Sequence, residues 1–145
     1  MKKILIASIA AGAMAVSLAP SASGGLVEPV GLVYAPHDCT KPKIEPKRIV
    51  LACGDANAYV GKVKWSEWGG EKAKGEGWFY LNNCKPNCAE GDFISYGAKV
   101  KLKEIEADAT CGGQQVDLYT HAKIRFIGEV PPGRHLRNWD LECNS

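Results

Sequence analysis

Ile94-Ser95-Tyr96-Gly97-Ala98-Lys99-Val100-Lys101-Leu102-Lys103 is the stretch whose reading decides the fold. In an extended chain Ile94, Tyr96, Ala98, Val100 and Leu102 fall on one side, and Ser95, Gly97, Lys99, Lys101 and Lys103 on the other. Successive side chains of a strand point to opposite faces, so this period of two marks a half-buried strand with an apolar inner and a basic outer face. The pattern returns after the turn Thr110-Cys111-Gly112-Gly113. There Val116, Leu118, Ala122, Ile124 and Phe126 are predicted to face inward, and Asp117, Tyr119, His121, Lys123 and Arg125 outward.

Working back toward the N-terminus, Ile49-Val50-Leu51-Ala52-Cys53 reads as a short buried strand and Gly54-Asp55-Ala56-Asn57 as a turn. Tyr59 to Trp68 alternates, with Gly61, Val63 and Trp65 inward and Lys62, Lys64 and Ser66 outward. Gly69-Gly70 breaks this strand, Lys74 to Asn82 forms the next, and residues 83–91 are a loop by composition. Toward the C-terminus Pro131-Pro132-Gly133 ends the last long strand, and Arg134 to Cys143 is a short strand or packed tail anchored by Trp139 and Leu141. Short alternating strands with Gly-rich connections, and neither repeats nor a convincing amphipathic helix, predict an all-β fold: a small antiparallel sandwich or barrel stabilised by disulfides.

The N-terminal 48 residues read differently. Lys2 and Lys3 precede an uncharged apolar run to Leu18 and Ala19, followed by the small residues Ser21-Ala22-Ser23-Gly24-Gly25. This is the pattern of an export signal, expected over residues 1–23, and the run is too short to favour a membrane span of about 20 residues. Residues 24–48 hold Pro29, Pro36, Pro42 and Pro46, each removing a backbone donor, and are expected to form an irregular arm tied down by Cys39. The β domain then spans residues 49–145, without a transmembrane segment, in a protein read as secreted.

Removing Lys2 and Lys3 from the 18 basic residues leaves 16, against 16 acidic ones. A formally neutral mature chain lacks the basic excess usual in nucleic-acid binding, so no nucleic-acid partner is expected. All six cysteines, Cys39, Cys53, Cys84, Cys88, Cys111 and Cys143, lie beyond residue 23, and an even count in an exported chain reads as disulfides. Only Cys84 and Cys88 are close in sequence and no second close pair follows, so neither a metal site nor a cofactor is expected. Six cysteines allow 15 pairings. In a simple meander Cys39 and Cys111 share one end of the sheet and Cys53, Cys84 and Cys88 the other. This predicts a Cys39–Cys111 bond, with Cys53, Cys84, Cys88 and Cys143 pairing among themselves.

Leu51-Ala52-Cys53-Gly54-Asp55-Ala56-Asn57, Trp65-Ser66-Glu67-Trp68-Gly69, Ala73-x-Gly75-x-Gly77 and Asn83-Cys84-x-Pro86-x-Cys88-Ala89-x-Gly91 together resemble a group of small secreted actinobacterial β-domain proteins of unknown function. The resemblance covers roughly residues 48–128. It implies a secreted β domain with four framework cysteines, to which Cys39 and Cys143 look like additions. It implies no activity and no functional residues.

Four features are candidates for function. Lys62, Lys64, Lys99, Lys101, Lys103, Lys123 and Arg125 share outward parity on three strands and would form a positive sheet face for an anionic envelope polymer, lipid headgroups or an acidic partner. The plainer alternative is solvation, since exposed strand lysines also discourage edge pairing. Among the aromatics, Trp65 shares the core parity of Val63, whereas Trp68 and Trp78 are the candidates for an exposed surface that stacks on sugars or peptides. The loop Cys84-Lys85-Pro86-Asn87-Cys88 could enter a protease, or simply be a structural knuckle. Glu67, Glu71 and Glu76 near tryptophans could mimic a glycosidase pair, but they surround a Gly-Gly turn where exposed acids are ordinary. No nucleophile elbow or His-Glu-x-x-His helix is present, and cysteines in disulfides leave no thiol nucleophile. The expectation is a non-enzymatic binding module for anionic or carbohydrate envelope material or a secreted protein. An inhibitor of a secreted hydrolase, and a small hydrolase built around Glu67, Glu71 or His121, are the alternatives.

Overall fold

The computed structural model describes residues 31–144, and the predicted export signal lies outside them. Strands β1 (Val33–Pro36), β2 (Pro42–Lys43), β3 (Arg48–Val50), β4 (Ala58–Glu67), β5 (Lys72–Asn82), β6 (Phe93–Cys111), β7 (Gln114–Ile127) and β8 (Asn138–Asp140) form one sheet, and a 3-10 turn spans Arg134–Arg137. The order is β2-β1-β7-β6-β5-β4-β3, with β8 also on β7. From β3 to β7 the chain is an antiparallel meander, and β1 joins β7 in parallel. The fold is all-β, and the sheet curls into a half-barrel whose ends meet. There the Nδ1–H of His37 donates to Arg48 O at 2.8 Å, and Val50 N donates to His37 O at 3.2 Å.

The inner face follows the predicted alternation. Ile49, Val60, Phe79, Ala98 and Leu102 are fully buried, and Val63, Val100 and Ile124 nearly so. Two glycines permit the tight curl. A Cβ on Gly77 would stand 2.7 Å from Gly61 O, and one on Gly75 would stand 2.8 Å from Lys64 O. Between β6 and β7 the Gly112-Gly113 turn has φ of +57° and +75°, the left-handed pair that a two-residue hairpin with the sheet's own twist requires.

Several expectations are corrected. Residues 24–48 are not uniformly irregular, since β1, β2 and the start of β3 lie there. Residues 24–30 of that arm, with Pro29, lie outside the described residues; Pro36 ends β1 and Pro42 opens β2, where no ladder donor is needed, and the two face each other in register at the sheet's edge. Tyr119, predicted outward, is fully buried, and its hydroxyl donates to Gly70 O at 3.0 Å. The alternation of β7 turns over at Thr120, whose Oγ1 donates to Glu104 O across a kink where Glu104 has φ +60°. Tyr119 therefore joins the main core, and Leu118 packs in a second cluster with Ala109 and Cys111. Ile94 lies past the end of the core and is exposed.

The disulfides are Cys39–Cys53, Cys84–Cys88 and Cys111–Cys143, so Cys39 does not bond Cys111. Cys39 and Cys111 share one end, apart from Cys53, only in a flat meander. In the curled sheet, β1 runs in the same sense as β3, and Cys39, at φ +65°, turns the chain back onto the loop after β3. Cys39 still neighbours the Cys111 turn: Asn144 N donates to Cys39 O at 2.7 Å, and a Cβ on Gly112 would strike Thr40 O. The sheet's curl has folded the end of β3 onto the end of β6, and two bridges stand side by side there.

Candidate functional site

Cross-strand register arranges the outer face of β4 to β7 in four rows, which take in most of the basic residues predicted outward and also Gly61, predicted inward. The first is Lys72, Lys103, His121 and, on β8, Asp140. The second is Glu67, Lys74, Lys101 and Lys123, and the third is Lys64, Glu76, Lys99 and Arg125. The fourth is Arg48, Gly61, Trp78, Gly97 and Ile127. Lys62, at φ +54° in a bulge of β4, is exposed beside the third and fourth rows. The basic residues named from outward parity thus lie on one continuous surface. Lys72 and Lys74 belong to it as well. Their parity with Glu76 and Trp78 was the available signal.

Most of this charge is not internally neutralised. Glu67 accepts from Lys74 at 2.7 Å and has Lys72 at 4.0 Å, Glu76 pairs with Lys99 at 2.8 Å, and Lys103 pairs with Glu104. Lys62, Lys64, Lys101, Lys123 and Arg125 have no carboxylate within 4.0 Å among the described residues. The hydrogen bond from Lys74, reinforced by the charges of Lys72 and Lys101, holds the Glu67 carboxyl below its ordinary range. A glycosidase general acid needs the opposite shift, and Glu67 is held ionised between Lys74 and Lys72. His121 faces Asp140 with its Nδ1 at 3.0 Å.

Two shallow depressions mark the face. One of about 470 Å³ lies over Gly75 and Val100 and is lined by Lys74, Lys99, Lys101, Lys123 and Arg125. The other, about 430 Å³, lies between Trp78 and Ile127 over Gly97, with Lys62 and Lys64 at its side. Glu76 borders both, which makes them neighbours along β5.

The two tryptophans proposed for exposure part company. Trp78 is 46% exposed in mid-strand. Trp68 is turned inward: its indole packs edge-on against Trp65 and Tyr119, and Nε1 donates to Val33 O at 3.0 Å. A bulge between Trp65 and Glu67 sets two residues against one on β5, which inverts the parity and puts Glu67 outside and Trp68 inside. Trp65 is partly buried on the core, as its parity required. The bulge at Lys62 inverts parity a second time and carries Tyr59 to the outer face. There it stacks on Tyr80 at 4.6 Å, meets Phe93 at 5.3 Å and receives the Arg48 guanidinium at 4.3 Å. Gly61 beside Lys62 is the local sign of that bulge, but Tyr59, Phe93 and Arg48 were not legible as neighbours of Trp78.

The Cys84–Cys88 loop is knitted by asparagines. Asn82 Oδ1 accepts from Cys84 N, Asn83 Oδ1 from Lys85 N and Asp92 N, and Asn87 Oδ1 from Ala89 N and Glu90 N. These bonds account for the loop as a self-supporting knuckle beside Phe93. Chemically, the outer face offers ammonium and guanidinium donors in register, one exposed indole and two carboxylates, Glu67 and Glu76, among them. That is equipment for holding an anionic ligand. No family model, no curated protein and no solved structure matches this chain, so the site's own geometry is what speaks to function.

Proposed function

We propose that this is an exported, non-enzymatic binding module, of a kind with the small secreted actinobacterial domains it resembles, that holds an anionic polymer of the cell envelope on its outer face. The single observation that carries the reading is the run Lys74-Lys101-Lys123 directly opposite one another on three adjacent strands, with Arg125 and Lys99 in the next row. Like charges directly opposite on a sheet are destabilising, and solvation alone is served as well by alternating signs. A polyanion laid across the rows removes the repulsion. Three disulfides fit a protein that works outside the reducing cytoplasm.

The test is retention of the oxidised protein on isolated cell envelope at low and high salt. Retention that high salt abolishes, and that Lys101→Gln with Lys123→Gln weakens at least tenfold, is the expected result. Absence of retention at either salt would refute the reading.

A further inference from the structure

We infer that the polymer is an acidic polysaccharide, with one sugar ring seated against Trp78 and its acidic groups on the lysine rows. This deepens the proposed function and rests on it. Trp78 leaves 46% of its surface exposed in the middle of an eleven-residue strand. Its register neighbours on either side, Gly61 and Gly97, have no side chain to lie against it. Covering bare backbone is not its role at Gly61, because the rings of Tyr59 and Tyr80 already approach within 3.3 Å of where a Cβ would be. With Ile127, Trp78 leaves an apolar strip open beside three rows of charged side chains. Over Gly97 it forms one wall of a slot whose opposite wall is Ile127.

Three chemical demands meet in that slot. The indole offers a flat apolar wall, which suits the C–H face of a pyranose ring. Glu76, on the boundary between the slot and the lysine groove, accepts hydrogen bonds from hydroxyls and repels phosphate or carboxylate at that point. Lys64 on one side and Lys101 on the other attract anions. A uronic-acid or similarly acidic glycan brings ring face, hydroxyl donors and negative charge together. A plain polyanion brings only the charge. Trp78 and Lys74 are four residues apart on β5, about 13 Å at ~3.3 Å per strand residue, and a glycan laid along the strand spans that distance.

The experiment compares three probes by calorimetric titration of the oxidised protein at low salt: a polygalacturonate fragment, inorganic polyphosphate and single-stranded DNA. The variants are Trp78→Ala, Trp78→Phe and the double variant Lys101→Gln with Lys123→Gln, each first shown to melt cooperatively. The expected result is that Trp78→Ala weakens polygalacturonate at least tenfold and polyphosphate less than twofold. Trp78→Phe should restore most of the loss, and the double lysine variant should weaken both probes. If Trp78→Ala leaves polygalacturonate unchanged, or weakens both probes alike, the glycan assignment falls while the polyanion reading stands. If DNA binds more tightly than polygalacturonate with the same dependence on Trp78, the ring recognised is a base and the assignment is overturned. If none of the probes binds the unaltered protein, the polyanion reading itself fails.

Discussion

Replacing Lys123 by Gln should make the protein more stable and a poorer binder at the same time. Lys123 stands directly opposite Lys101 and two residues from Arg125 on the same face, with no carboxylate within 4.0 Å among the described residues. Taking the charged heads at the generic strand spacings, about 6 Å across the strands and about 7 Å along one, the two repulsions in water at low salt come to about 1 kcal/mol together. Neutralising Lys123 recovers that amount in about 10 mM salt, where the screening length is about 30 Å, and only about 0.1–0.2 kcal/mol in about 1 M salt, where it is about 3 Å. For a domain of this size the low-salt gain is a rise of about 4 °C in Tm. The assay is thermal and urea unfolding of the oxidised protein and the variant across that salt range, run beside the envelope-retention measurement. Equal stability at low salt, or a gain that persists undiminished at high salt, would refute the claim that the lysine rows repel one another. The reason given for their function would fall with it.

Three further outcomes are expected. Gly77→Ala should cost about 1–3 kcal/mol or more, because its Cβ would meet the Gly61 carbonyl at 2.7 Å in a part of the sheet that cannot open without uncurling; a urea midpoint within error of the parent would contradict this. Burial, with the negative charge of Glu67 adding to it, raises the Tyr119 hydroxyl above its ordinary value, so the folded state keeps its proton where the unfolded state has lost it. That contribution is intact below about pH 10 and lost as pH rises beyond it, so stability should fall from about pH 10 upward, and Tyr119→Phe should flatten the fall in urea titrations between about pH 8 and 11. Replacing Cys111 and Cys143 together by Ala opens a loop of sequence separation 32 and should cost about 4 kcal/mol, against about 2 kcal/mol for Cys84 and Cys88 at separation 4; the opposite order in paired unfolding curves would overturn the loop-entropy account.

Local chemistry was legible from the residues alone wherever it repeats with a period of two. The alternation of Ala98 to Lys103 and of Ala122 to Phe126 assigned both the strands and the two faces of the sheet, because neighbouring side chains of an extended chain must diverge. The same alternation brought the lysines of β6 and β7 and Arg125 to one surface. The six cysteines announced bridges, and Gly112-Gly113 announced a hairpin, since few other pairs tolerate two left-handed residues in succession. What escaped depends on single residues inserted into a strand or on the curvature of the whole sheet. Bulges at Lys62 and after Trp65, and the kink at Glu104, each inverted parity, and so Tyr59 went out while Trp68 and Tyr119 went in. Each is fixed by fit against a neighbouring strand, and no local pattern encodes that fit. The disulfide pairing and the closeness of Trp78 to the lysine groove were decided likewise by curl and register. Those are properties of the assembled sheet, set by which close approaches Gly75 and Gly77 permit, and they exist only once the strands have met.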